Sequence, residues 1–239
     1  MGFSPFDFPH GPHIGSALHR YFEKNDFAQF TDADKLHDFC HGLMLSEDWV
    51  APLQQWFNAI LHTPLIANEN LSLEQISRKN ALRELQFYLQ VNQKFSAKKF
   101  NLLLEKYHHL KSNPLISYEF NGMLRGFIDL VFRHQGKYYI VDYKSNFLGS
   151  LAADYAPSAL AQTMLNSHYD WQYLLYCVAL HRYLKSRDPD YQYERHFGGV
   201  IYAFLRGMNG QTVPPGQNGQ GIFFDKPDVR LIEGLEELF

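Results

Sequence analysis

From residue 14 to about residue 62, apolar residues return every three or four positions. Leu18, Tyr21 and Phe22 form one set, and Leu36, Phe39, Cys40 and Leu43 the next. That spacing predicts amphipathic helices. Asp48 stands where a cap would, ahead of a helix carrying Trp49, Leu53, Trp56, Phe57 and Ile60. After a polar stretch over 63–70 the period shortens to two. Arg83-Glu84-Leu85-Gln86-Phe87-Tyr88-Leu89 alternates, which predicts a strand with Glu84 and Gln86 on its polar face. Residues 97–111 predict a short helix with a basic side.

The densest β text lies between Pro114 and Asn146. Residues 116–120, a turn at Asn121-Gly122, residues 124–132, a turn at His134-Gln135-Gly136 and residues 138–143 predict a three-stranded meander. A loop with Gly149 and Pro157 leads to a long helix over 169–185. A strand over 199–205 comes next, then a Gly/Pro/Gln-rich loop over 207–221. A short strand at 222–224 and a helix over 228–239 close the chain. Helices, meander, helix and strand in this order predict a mixed α/β or α+β fold, and no internal repeat is present.

The 239 residues are 46% apolar and 20% charged, enough for a sizeable core and unlike a disordered chain. Basic and acidic residues number 22 and 25, for a net charge of −3. A nucleic-acid partner would therefore have to meet a local patch rather than a basic surface. Aromatics reach 16%, which suits a dense core and also base-stacking surfaces. Cys40 and Cys177 are the two cysteines, neither a disulfide framework nor a zinc site, and they fit a reducing compartment. With no apolar run of about 18 residues and no signal segment, a soluble, cytoplasmic chain without a membrane partner is expected. Residues 3–13, rich in Pro, Gly and Phe, read as an extended lead-in of the kind found inside a longer protein. No GxxxxGK[ST] loop occurs, so nothing points to ATP hydrolysis.

Chemistry concentrates in GFIDLVF and YYIVDYKSN, which hold Asp129, Asp142 and Lys144. A hairpin turning at 134–136 pairs residues whose numbers sum to about 270 or 271, so Asp129 faces the region of Asp142. Two carboxylates side by side among apolar residues repel and lose solvation unless something compensates. A hard divalent cation is the natural compensation, and Mg²⁺ needs few carboxylates because it keeps several waters. Lys144, two residues past Asp142, points to the same side of an extended strand. There it would hold an attacking water or a scissile phosphate beside the metal, the makings of phosphodiester hydrolysis. A D-x-K alone would be an ordinary salt bridge. Two acids on paired positions of apolar strands, with the lysine in phase, point to a site.

The spacing Gly126-Phe-Ile-Asp129, twelve residues, then Asp142-Tyr-Lys144 resembles the PD-(D/E)XK nuclease superfamily. More narrowly, GMLRGFIDLVFRHQGKYYIVDYKSNFLG resembles the C-terminal nuclease domains of the RecB family, and so does the Gln172-x-x-x-Tyr176 segment. Gly198-Gly199-Val200, Phe204 to Met208, Phe8-Pro9-His10-Gly11-Pro12 and Gly15-x-x-Leu18-His19 extend the likeness to nearly the whole chain. Ile128-Asp129 stands where the superfamily's name has Pro-Asp. The resemblance implies a restriction-endonuclease-like core, a central mixed β-sheet flanked by helices, with a helical N-terminal extension. Residues 1–13 would be the lead-in and 14–239 one nuclease domain, divided into the extension over 14–70 and the catalytic core over 79–239.

The resemblance also assigns roles. His19 becomes an imidazole ligand beside Asp129 and Asp142. Gln172 and Tyr176, four apart on one helix face, reach the DNA backbone or brace the metal centre. Tyr143 points away from Asp142, and its backbone carbonyl is a further candidate ligand. Glu84 is a second-rank acid that would orient a water. Lys94, Lys98, Lys99 and Lys106 form either a solvated face or a phosphate-contacting patch. The implied activity is Mg²⁺-dependent cutting of linear single- and double-stranded DNA in double-strand-break repair. The implied partners are RecC- and RecD-like subunits and a helicase region, without which the domain should cut weakly. A nuclease-like docking module that holds DNA or a protein without cutting is the alternative, against which the complete Asp129, Asp142 and Lys144 set argues. A two-carboxylate glycosidase fits less well, because Lys144 adjoins the acids and no sugar-stacking arrangement is evident.

Overall fold

The computed structural model describes residues 3–67, 69, 71–91, 95–116 and 122–239. In chain order the elements are α1 (Pro12–Lys24), α2 (Ala33–Gly42), α3 (Val50–His62), β1 (Ala81–Val91), α4 (Ala97–Tyr107), β2 (Gly122–His134) and β3 (Lys137–Lys144). Then follow α5 (Pro157–Asn166), α6 (Tyr169–Arg187), α7 (Tyr193–His196), β4 (Phe197–Phe204), β5 (Ile222–Asp225) and α8 (Val229–Glu236). Helix starts follow local chemistry. Pro12 occupies the first turn of α1, and the Asp32 and Ser96 side chains accept the Lys35 and Lys99 amides at the starts of α2 and α4.

The five strands form one mixed sheet in the order β1-β2-β3-β4-β5, with only β3 and β4 parallel. The β2–β3 hairpin closes on Gln135-Gly136, both at positive φ, as a two-residue turn requires. Its register, Leu130↔Val141 through His134↔Lys137, sums to 271, so Asp129 and Asp142 would be the next pair.

Both faces of the sheet are covered. On one, Phe22, Phe30, Trp56 and Phe57 of the N-terminal helices and their connection join Leu130, Phe132, Val141, Tyr143 and Ile201. On the other, Tyr173, Leu174, Cys177 and Leu180 of α6 and Leu231 and Ile232 of α8 join Val131, Ile140, Val200 and Tyr202. The parallel pair β3 and β4 is accordingly buried on both sides, and its text is a near-continuous apolar run. Truncating one of these fully buried rings to alanine removes about 3–5 kcal/mol.

Four expectations change. Pro157 starts α5 instead of sitting in a loop: its fixed φ suits a first helical turn, and Leu160 and Met164, one turn apart, are both buried. Asp48 lies inside a 3₁₀ turn whose amide is capped by Ser46, and α3 starts two residues later. The helix expected over 97–111 stops at Tyr107, because His108 is extended and buries its ring. Residues 117–121, which make up most of the meander's expected first strand at 116–120 and the Asn121 of its Asn121-Gly122 turn, lie outside the described residues, while Gly122 opens β2. The strand beside β2 is β1, from before α4.

Candidate active site

Asp142 and Lys144 lie two residues apart at the end of β3 and share the face that α6 covers. Lys144 Nζ is 2.8 Å from Asp142 Oδ2, and both residues are buried. A buried ammonium needs more than one partner. Lys144 also donates to Gln172 Oε1 at 3.0 Å, and its Nζ stands 3.9 Å from the Tyr169 ring centre and 4.9 Å from that of Tyr202. Gln172 in turn accepts from the Tyr202 hydroxyl at 3.0 Å and donates to the Tyr176 hydroxyl at 2.7 Å. The four-residue spacing of Gln172 and Tyr176 thus builds a bracket around the lysine.

Asp129 sits where β2 and β3 part. Its Oδ2 accepts the Tyr143 amide at 2.7 Å, and its Oδ1 lies 3.4 Å from His19 Nδ1. Tyr143 turns its ring to the opposite face, against Phe22 and His19, as alternation predicts. Glu84 departs from the regular strand. Its φ of 52° breaks the alternation of β1 and leaves the residue half-buried, in a cleft of about 580 Å³ with His19, Arg20, Glu23 and Asp129.

Helix α1 reaches this cleft through two contacts. At Gly15 an added Cβ would lie 2.9 Å from Ser145 Oγ, so glycine lets the helix close on the residue after Lys144. His19 is one turn further along the same helix face. The buried Arg206 guanidinium donates to the carbonyls of Pro5, Phe8, Pro9 and Ser145, tying the lead-in to the chain just beyond β3. Sequence reading missed Arg206, Tyr169 and Tyr202. They sat inside recognised segments, but no periodicity marks a cation that serves backbone carbonyls or a ring that faces a lysine.

Burial and neighbouring charge together explain the titration shifts. Burial pushes the Asp142 carboxyl above its ordinary range, Lys144 opposes this, and the Asp129 charge adds to it. Glu84 is raised by burial and by the Asp129 and Glu23 charges. For His19 burial works downward, but Asp129 and Asp142 outweigh it and the imidazole is raised. Asp129, Asp142, Glu84 and Glu23 thus gather an excess of negative charge, which Lys144 answers from the buried side and Arg20 from the cleft.

This donor set fits a hard divalent cation. Carboxylate oxygens dominate, and the 3.4 Å between Asp129 Oδ1 and His19 Nδ1 approaches the roughly 3 Å between neighbouring ligands of an octahedral Mg²⁺ shell. Asp142 spends Oδ2 on Lys144, and its carboxylate also meets the Tyr176 hydroxyl. Among the described residues, the one group of three metal-ligating side chains with all ligand atoms within 4.8 Å is a different one: His108, His109 and Asp225. There the Tyr173 hydroxyl stands between His108 Nε2, at 2.6 Å, and Asp225 Oδ2, at 2.8 Å. Lys98, Lys99 and Lys106 are exposed on α4 and do not line the cleft, and Lys94 lies outside the described residues.

Residues 7–218 match the PD-(D/E)XK nuclease superfamily. The chain is 47% identical over 233 residues to the RecBCD enzyme subunit RecB of Haemophilus influenzae, covering 98% of this chain and 19% of that protein. It is 41% identical over 239 residues to the same subunit of Escherichia coli, covering 99% and 20%. With the subunit of Mycobacterium tuberculosis it shares 46% identity over 119 residues. The chain thus spans about a fifth of the length of the first two relatives. No helix among the described residues is long and apolar enough to cross a membrane.

Proposed function

This chain belongs to the PD-(D/E)XK nuclease superfamily, and from that premise we propose that it is a Mg²⁺-dependent deoxyribonuclease domain, the cutting part of a RecBCD-type helicase–nuclease. The observation that carries the reading is the buried Asp142–Lys144 pair beside Asp129 at the fork of β2 and β3. A protein interior does not gather these charges for stability, since a packed apolar cluster of the same volume would serve at least as well.

Asp129, Asp142 and His19 would hold the cation, with the Tyr143 carbonyl as a further ligand. When bound, the ion supplies Lewis-acid polarisation of the phosphate and acidifies a water. Lys144 places its ammonium where negative charge grows on the scissile phosphate and helps aim the water. Gln172 fixes the direction of that ammonium, and Tyr176 fixes Gln172. Glu84, raised in pKa and open to the cleft, accepts a hydrogen bond from the attacking water and takes up its proton. We assign 14–239 to one catalytic domain, with 14–70 as an extension that carries His19 and 79–239 as the sheet-bearing core. Linear single- and double-stranded DNA would be the substrate. RecC- and RecD-like subunits and a helicase region would be the partners, in the cytoplasm.

Degradation of linear DNA tests this, run with Mg²⁺, with EDTA, and with the Asp142→Ala protein. The proposal expects cutting that requires Mg²⁺ and disappears in the variant. DNA that is bound but never cut, equally by both proteins, would replace it with the docking-module reading.

A further inference from the structure

Among the described residues, the outer face of the β1–β2 ribbon carries no acidic side chain along its distal half. Register pairs Gln86 with Phe127, Tyr88 with Arg125 and Gln90 with Met123, and all six side chains are exposed. Tyr88 and Met123 are each 56% exposed and Phe127 is 40% exposed, an apolar density that a folded chain does not leave bare without reason.

The face is also pre-organised. The Arg125 guanidinium lies over the Phe127 ring, 5.2 Å from its centre. Gln86, with its amide oxygen turned inward, accepts from Arg125 Nε at 2.7 Å and from the Tyr88 hydroxyl at 3.0 Å. The underside is fixed to the site: Phe87 lies across Gly126, where an added Cβ would meet its ring at 2.5 Å, and packs edge-on to Tyr176 at 5.6 Å. Two residues along each strand, roughly 7 Å at the rise of extended chain, stand Glu84 and Asp129 of the cleft.

We propose that this face, built on Tyr88, Phe127 and Arg125, is a stacking track that leads single-stranded DNA to Asp129; the inference rests on the nuclease reading above. Flat aromatic faces beside a cation match what unpaired bases and their phosphates offer. In a duplex the base faces are hidden in the stack, so the ribbon selects a single strand. The absence of acids removes the repulsion that the chain's net charge of −3 would otherwise present to a phosphate backbone.

The test measures binding of labelled oligo(dT), and of the same oligonucleotide with abasic positions, to the 239-residue chain in EDTA, where no cutting occurs. Tyr88→Ala/Phe127→Ala should bind oligo(dT) about 10- to 100-fold more weakly and lose the preference of the wild type for dT over abasic DNA. Tyr88→Phe/Phe127→Tyr should keep both. Arg125→Ala should weaken dT and abasic DNA alike and flatten the salt dependence. Wild-type affinity for oligo(dT) in the double alanine variant, or no preference for dT in the wild type, would overturn the track. Cutting with Mg²⁺ is scored separately, so a failed track with Asp142-dependent cutting intact leaves the nuclease reading standing. A working track without cutting does the reverse.

Discussion

Lys144 Nζ lies 2.8 Å from Asp142 Oδ2 with both side chains almost wholly out of water. Each charge is tolerated there because of the other, so removing one should hurt more than removing both. Asp142→Ala leaves Lys144 with Gln172 and two tyrosine rings, which sets the expected loss near the lower end for a broken buried pair, about 3 kcal/mol. Asp142→Ala/Lys144→Met should recover most of it. Urea midpoints of the two proteins check this; a double variant no more stable than the single would contradict it.

Gln172 touches Lys144, Tyr176 and Tyr202. Gln172→Ala should therefore disturb aim rather than ligation. The cutting rate is expected to fall about 10- to 100-fold, the size found when outer hydrogen-bond partners of a metal site are removed. The Mg²⁺ concentration for half-maximal rate should stay near that of the wild type. A Mg²⁺ titration of the rate separates the two effects.

A pH effect is expected away from the cleft. His108 Nδ1 lies 2.8 Å from the Ser112 hydroxyl, and its Nε2 donates to the Tyr173 hydroxyl, which donates to Asp225. Burial, helped by the His109 charge, pushes His108 down to about 4. The unfolded ring titrates near 6.5, so the folded state binds fewer protons between the two values. Stability is complete above about pH 6.5 and is lost as pH falls towards 4, by about 3 kcal/mol from this group. Buried carboxyls such as Asp142 and Asp225, raised in pKa, act in the opposite direction. The comparison must therefore be between wild type and His108→Gln, whose stability should fall less between pH 7.5 and 4.5.

Arg206 holds the lead-in by the three carbonyls of Pro5, Phe8 and Pro9, and ties it to that of Ser145. Arg206→Met should lose about 3–5 kcal/mol, because those carbonyls stay partly buried without their donor. It should also expose residues 3–10 to limited proteolysis before the sheet unfolds. Cleavage there at the wild-type rate would show that the lead-in is held by Phe8 packing instead.

The chemistry was more legible in the sequence than the frame that positions it. Alternation placed Asp142 and Lys144 on one face and Tyr143 on the other, and the turn at Gln135-Gly136 set Asp129 against Asp142. These are local rules of period and register, and they held. β1 was recognised as a strand, but its pairing with β2 crosses all of α4, and no short-range pattern encodes that. Pro157 carried two meanings, loop and helix start, and only the burial of Leu160 and Met164 decides between them. Glu84 was read on a polar face, whereas its left-handed backbone turns it into the cleft, a departure that alternation cannot foresee. His19 needed family resemblance, since a histidine at helical spacing says nothing about an aspartate 110 positions later.

A Mg²⁺ titration of cutting by wild type, Asp129→Asn, Asp142→Asn and Lys144→Gln, with Mg²⁺ binding followed by calorimetry on the same proteins, tests the metal-and-lysine centre most directly. The two aspartate variants should lose Mg²⁺ binding together with cutting. Lys144→Gln should still bind Mg²⁺ and fail to cut. Cutting by either aspartate variant at the wild-type rate and Mg²⁺ requirement would place the chemistry elsewhere in the molecule.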